Sequence, residues 1–256
     1  MLKNFALILG GSKGIGFEVA NQMLAKNYHI ILNSRNPFEA YNELKKNYSE
    51  DKIILLPGDI SEDSTLKNLV DILENINKLD SILINYGGPN LKPFNEITHN
   101  EWLSYFKTMF LAPIEIIKNT INYLKNSEYP RIVAITSFTT KKITKNMIVS
   151  NSLRLALVNA LKTINLELSE SFNGKLLINS VAPGYINTER LQDYILKQSK
   201  ILNISPNDYI KEIEKNILIK RIADVKEIGK FIAFLLSYEN TYINNQHIFF
   251  DGGIVY

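Results

Sequence analysis

Short runs of consecutive aliphatic residues alternate along the chain with longer stretches whose apolar positions recur every three or four residues. The short runs are Phe5–Leu9, His29–Asn33, Lys52–Leu56, Ser81–Asn85, Arg131–Thr136, Leu176–Val181 and His247–Phe250. Several are apolar on successive rather than alternate residues. That pattern belongs to strands covered on both faces, hence to a parallel sheet between helices. The amphipathic stretches lie near 15–26, 39–47, 62–77, 100–126, 147–172 and 225–237. In the last, Ile228, Phe231, Ile232 and Leu235 fall at helical spacing. Strand–helix alternation of this kind predicts an α/β fold, a doubly wound parallel sheet of about seven strands flanked by helices.

No linker, repeat or low-complexity tract interrupts the pattern, so residues 1–256 read as one domain. The stretch 189–224 alone lacks a predicted strand. It carries Leu191, Tyr194, Ile195, Tyr209, Ile213 and Ile217 scattered among charges. An insertion after a strand's carboxyl end is a natural lid over a cleft; surface helices or an oligomer contact are the plainer alternative.

Composition narrows the chemistry. The 256 residues include no Cys, which excludes disulfides, thiolate metal sites, iron–sulfur clusters and cysteine nucleophiles, and fits a reducing cytoplasm. Three His leave little for a metal site, and none is expected. A net charge of +3 admits anionic ligands without demanding nucleic acid. No apolar run approaches the length of a membrane span. The start, Met1–Leu9, has one charge and a short apolar run that leads into glycines and Lys13, so it reads as a buried strand rather than a signal peptide.

The first strand is followed by Gly10-Gly11-Ser12-Lys13-Gly14-Ile15-Gly16 and then a helical pattern. Glycines let the backbone turn sharply and approach a ligand closely, and the helix start presents free N–H groups and a positive dipole end. Strand, glycine turn and helix in that order suit a dinucleotide pyrophosphate.

The spacing Gly-x-x-x-Gly-x-Gly resembles the short-chain dehydrogenase/reductase family, whose fold is a Rossmann-type sheet. Asp59-Ile60 resembles the family's adenine-contacting segment. Asn85-Tyr86-Gly87-Gly88-Pro89 resembles its Asn-Asn-Ala-Gly segment after the fourth strand, with Ile84 and Tyr86 as departures. Pro183-Gly184-Tyr185-Ile186-Asn187-Thr188 resembles its Pro-Gly loop, whose Thr serves the nicotinamide and diphosphate end. Phe234–Ser237, Gln246 and Asp251-Gly252-Gly253 resemble its C-terminal signature. The resemblance implies cofactor contacts from Gly10, Ser12, Lys13, Gly14, Ile15, Gly16, Asp59, Ile60, Asn85, Gly87, Pro183, Gly184, Ile186 and Thr188. It also implies a cytoplasmic homo-oligomer, a tetramer or dimer.

A carboxylate at the end of the second strand would hold the 2′-hydroxyl of NAD. Here that end reads Leu32-Asn33-Ser34-Arg35-Asn36. Arg35 offers a fork for a 2′-phosphate and Lys13 a second cation, which favours NADP(H) over NAD(H).

The family's usual chemistry uses a Tyr that exchanges a proton with the substrate oxygen. A Lys one turn later lowers that Tyr's pKa, a Ser fixes the oxygen, and an Asn in the preceding helix completes a relay. Ser137 matches the Ser. Family spacing then reaches Ser150 in place of Tyr, Arg154 in place of Lys and Met109 in place of Asn, and no Tyr occurs between 130 and 184. Val149-Ser150-Asn151-Ser152-Leu153-Arg154 and Gly87-Gly88-Pro89 resemble a divergent, 3-oxoacyl carrier-protein reductase-like branch without the Tyr-x-x-x-Lys motif. Ser150 and Arg154 share a helix face. Arg154 suits the nicotinamide ribose and a positive field, but as a permanent cation it cannot carry protons.

Ser137, Ser150 and Arg154 are therefore the catalytic candidates. Tyr185, Tyr86 and the loop residues Lys141, Lys142 and Lys145 are substitutes for the missing proton donor. The expected activity is an NADP(H)-dependent oxidoreductase that reduces a carbonyl or oxidises an alcohol of a small, partly apolar molecule, with 3-oxoacyl thioesters among the candidates. The competing expectation is a catalytically silent dinucleotide-binding sensor or scaffold.

Overall fold

The computed structural model describes residues 3–255. Nine strands form among them: β1 (Phe5–Ile8), β2 (His29–Ser34), β3 (Ile53–Pro57), β4 (Ser81–Ile84), β5 (Arg131–Ile135), β6 (Leu177–Pro183), β7 (Ile186–Asn187), β8 (Ala223–Asp224) and β9 (His247–Phe250). All but β7 and β8 make one sheet in the order β3-β2-β1-β4-β5-β6-β9, parallel at every pairing. The helices are α1 (Gly14–Ala25), α2 (Phe38–Leu44), α3 (Asp63–Ile76), α4 (His99–Phe106), α5 (Ala112–Lys125), α6 (Ile148–Leu168), α7 (Glu189–Leu202), α8 (Pro206–Lys215) and α9 (Val225–Leu236).

Successive strand residues serve opposite cores, which is why the runs are apolar throughout. Ala6, Ile8, Ile30, Leu32, Leu83 and Val133 pack with α1, α2 and α9. Leu7, Leu9, Ile31, Ile82, Ile84 and Ile132 pack with α3, α5 and α6. A two-sided sheet of this kind places every strand's carboxyl end along one edge. The order reverses between β1 and β4, the switch point at which sheets of this kind bind their ligands.

The predicted helix 100–126 is interrupted. Between α4 and α5 the chain makes one wide π turn, Lys107–Leu111. The turn brings Met109 fully inside, against Val149 and Leu153 of α6 with Tyr86, Trp102 and Tyr105 around them. One extra residue in a turn shifts the helical phase without breaking the apolar periodicity, so the pattern cannot show it.

The stretch 189–224 contains α7, α8 and the short β8, which pairs with β7 just after the Pro-Gly loop. Leu191 and Ile195 of α7, Ile213 of α8, Ile217 and Ile254 make a separate small core, flanked by Phe138, Tyr185, Tyr194 and Tyr209. The insertion is thus tied to the C-terminal segment and to the turn after β5. No helix among the described residues is long and apolar enough to cross a membrane.

Candidate active site

At the switch point the turn after β1 is shaped by its glycines. Gly14 has φ +58, a left-handed conformation that side chains avoid. A Cβ on Gly16 would run into the Gly10 carbonyl, so only glycine lets the first turn of α1 close against the end of β1. Asn85, just past β4, donates its Nδ2 to that same carbonyl at 3.1 Å and ties the two strand ends together. Ser12 is half-buried in the turn, and Ile15 packs into the first core. Lys13 is exposed and pairs with Glu189 at 3.1 Å, so the structure joins it to the start of α7.

The end of β2 carries two unused groups. The Ser34 hydroxyl is buried without a partner. Arg35 is exposed and makes no ion pair or hydrogen bond among the described residues. Asn33 fixes this edge by donating to the carbonyls of Leu56 (2.9 Å) and Gly58 (3.2 Å). Asp59, beyond β3, accepts from the Ser61 backbone (3.0 Å) and hydroxyl (2.8 Å), while Ile60 packs on the second core. Gly87 has open space where a Cβ would be. A glycine cradle, an orphaned hydroxyl and a free guanidinium along one edge fit a dinucleotide whose 2′ position is charged.

On the far side, Pro183 ends β6 and Gly184 donates to Phe250 O at 2.9 Å. Ile186 is buried on β7. Thr188 caps α7: its hydroxyl donates to Ile186 O (3.3 Å) and accepts from Leu191 N (3.4 Å). Its methyl lies 3.5 Å from the Cβ position of Gly14, so the Pro-Gly loop faces the glycine turn directly.

Beyond β5 the three catalytic candidates fall within one turn of chain and one helix face. Ser137 caps a short turn by accepting Thr139 N at 3.2 Å. Thr139, completely buried, meets Ser150 hydroxyl to hydroxyl at 3.2 Å. Ser150 accepts from Arg154 Nε at 3.2 Å, so its own proton is free for Thr139 or a ligand. Arg154 Nη1 donates to the carbonyls of Thr136 (2.7 Å) and Ile135 (3.2 Å). Its Nη2 has no partner among the described residues. The Arg154 guanidinium lies 5.3 Å from the centre of the Tyr86 ring. Burial pulls the Arg154 pKa below its usual value, an effect Tyr86 partly offsets.

Both tyrosine substitutes have their phenols shifted upward. Burial raises the Tyr86 phenol above the usual range. The Tyr185 phenol is raised to about 12, chiefly by burial. Both hold their protons harder than a free phenol and are poorer acids. Lys141 and Lys145 are exposed, and Lys142 reaches Ile254 O at 3.3 Å.

Three groups escaped the sequence reading. Thr139 lies between Ser137 and Ser150, and its place two residues after Ser137 was an available signal. His247 bridges Thr140 Oγ1 (Nε2, 2.8 Å) and Ser180 Oγ (Nδ1, 2.8 Å), while Thr140 donates to Ser137 O at 2.8 Å. That chain holds the turn that carries Ser137. Burial, with a smaller contribution from Lys162, lowers the His247 pKa to about 4, so the ring is neutral. Arg190 of α7 has its guanidinium against Gly88, with Nη1 2.6 Å from that residue's Cβ position. No cluster that could hold a metal ion occurs among the described residues.

This arrangement has counterparts. Residues 10–255 match the family model described as Enoyl-(Acyl carrier protein) reductase. The chain belongs to the short-chain dehydrogenase/reductase family. It is 29% identical to "NADPH-dependent reductase BacG" of Bacillus subtilis over 99% of this chain and 98% of that protein. The crystal structure of YwfH, titled an NADPH dependent reductase involved in bacilysin biosynthesis, superposes with a TM-score of 0.89 at 27% identity, covering 99% and 98% of the two chains. ElxO, solved with NADP bound, gives a TM-score of 0.83 at 26% identity over 98% of each chain. As a member of this family the chain is a short-chain oxidoreductase. Met109 of the π turn packs against Val149 and Leu153 of α6, the helix that also carries Ser150 and Arg154.

Proposed function

We propose that this short-chain oxidoreductase uses NADP(H) to reduce a carbonyl, or oxidise the corresponding alcohol, of a small and partly apolar substrate, without a tyrosine proton donor. The observation that carries this reading is the Thr139–Ser150–Arg154 chain beyond the end of β5. The diphosphate would rest on Gly10, Ser12, Lys13, Gly14, Ile15 and Gly16. The adenosine half would meet Asp59, Ile60, Asn85 and Gly87, with Arg35 and Ser34 at the 2′-phosphate. Arg154, Pro183, Gly184, Ile186 and Thr188 would hold the nicotinamide end. The NADPH named for BacG and YwfH and the NADP named for ElxO support the choice of cofactor.

The bound cofactor supplies or accepts a hydride. The protein's part is electrostatic. Ser150 and Ser137 offer hydroxyls to the substrate oxygen, and the buried Arg154 charge favours negative charge developing there. No side chain in the cluster is an acid near neutrality, so the proton would come from water or from a lysine of the turn after Ser137. Loss of a positioned acid costs about 10²–10⁴ in rate. The exposed apolar residues Leu103, Phe106, Leu111 and Leu155 on α4, the π turn and α6 support assembly as a homo-oligomer.

The test is NADPH consumption against a panel of ketones, aldehydes and 3-oxoacyl thioesters, with light scattering for the assembly state. Slow turnover of at least one carbonyl supports the reading. Tight NADPH binding with no turnover on any of them returns the silent dinucleotide-binding alternative.

A further inference from the structure

Arg190 is unsatisfied. It makes no hydrogen bond or ion pair among the described residues, although Glu189 precedes it and Asp193 follows one turn later. Glu189 is already taken by Lys13. Arg190 also stands in the first turn of α7, where the helix dipole disfavours a cation. Nothing in the fold explains its position as a stabilising one.

Its guanidinium lies against Gly88, where any side chain would displace it. Two residues earlier, Tyr86 lies beneath the guanidinium of Arg154. Two cations thus converge on the segment Tyr86–Gly88 with no carboxylate between them. Each feels the cost: burial lowers the Arg190 pKa, and the charge of Arg154 lowers it further. The Tyr86 hydroxyl beside them is buried without a partner. Uncompensated positive charge in a cleft is a site prepared for an anion.

Resting on the reading above, we propose that the substrate carries a carboxylate as well as its reacting carbonyl, and that Arg190 binds this carboxylate within the positive field of Arg154. The cofactor's diphosphate is the other anion in reach, and the geometry argues against it. By the reading above the diphosphate would rest at the start of α1, by the end of β1. Gly88 follows β4 two residues after Tyr86, whose ring lies under the Arg154 guanidinium. A planar guanidinium without a partner among the described residues suits bidentate capture of a carboxylate.

The experiment uses the protein saturated with NADP⁺ and reads the fluorescence of Trp102, the sole tryptophan, which packs in the cluster containing Tyr86. It is titrated with a panel of aliphatic and aromatic 2-oxo acids and with their methyl esters. At least one acid is expected to bind tenfold or more tightly than its ester. Arg190→Gln should abolish that preference, and Arg190→Lys should retain part of it. In both variants NADPH affinity, measured separately, should change less than twofold, which also shows that they fold. The proposal is overturned if no acid outbinds its ester, or if Arg190→Gln weakens NADPH as much as the acid, which would assign Arg190 to the diphosphate. Failure of the wild-type protein to bind NADPH at all is a different result and would sink the proposed function instead.

Discussion

Arg154 lies 5.3 Å over the ring of Tyr86, and two backbone carbonyls and the Ser150 hydroxyl, with no carboxylate, accept its hydrogen bonds. A buried cation held only by neutral groups costs folding free energy, because desolvation is only partly returned. Such a charge is kept where something else uses it.

Replacing Arg154 with Met therefore has two separable effects. Relief of the desolvated charge opposes the loss of its hydrogen bonds, and the net change in stability stays within about 1 kcal/mol. Cofactor affinity falls by at least about 1 kcal/mol, the worth of one charged hydrogen bond. Urea melts and an NADPH titration of Arg154→Met check the pair; unchanged NADPH affinity would remove Arg154 from the ribose.

Arg35 has no structural duty in the fold, so its removal should be felt only by a 2′-phosphate. Arg35→Ala is expected to weaken NADPH binding by about 1.5 kcal/mol, roughly tenfold, and to leave NADH binding alone. Parallel titrations with the two cofactors decide it. An unaltered ratio would make Arg35 a solvated loop charge.

Tyr86 brings a buried hydroxyl that finds no partner. Tyr86→Phe removes that orphan without opening a cavity and should raise stability by about 1 kcal/mol. Because burial keeps the phenol protonated, the same variant should retain its kcat within twofold. A large fall in kcat would make Tyr86 the missing proton donor.

His247 gives the fold a defined acid sensitivity. Its pKa is about 4 in the folded chain against 6.5 when free. Between those values the unfolded chain binds the proton and the folded one does not, so stability is lost as pH falls from about 6.5 toward 4. Between pH 7 and pH 5 the loss has an upper limit of about 2 kcal/mol, and is about 1 kcal/mol once the ring's contact with solvent is allowed for. Urea melts at the two pH values should show that difference in the wild type and a smaller one in His247→Gln. Equal slopes would mean that the ring titrates normally.

The seven strands and the glycine turn were legible because each is written locally. A strand buried on both faces must be apolar at every position, as in Ile30-Ile31-Leu32, and the turn needs glycine where φ is positive or a carbonyl stands in the way. The π turn at Lys107–Leu111 was not legible, since an inserted residue leaves the spacing of apolar positions nearly intact. Nor was the short strand β8 within 189–224, nor that the apolar residues of that stretch pack on Phe138 and Ile254 from other parts of the chain.

The site divides in the same way. Sequence alone determined that Ser150 and Arg154 stand four apart downstream of Ser137 and that no tyrosine occurs between 130 and 184, because identity and spacing along a chain are one-dimensional facts. Only the tertiary structure decided that Thr139 links to Ser150, that His247 braces the Ser137 turn from the last strand, and that Arg190 meets Gly88 without an acidic partner. Those relations depend on which side chains are brought close and which are left unpaired, and a charge is satisfied or stranded by its neighbours in space.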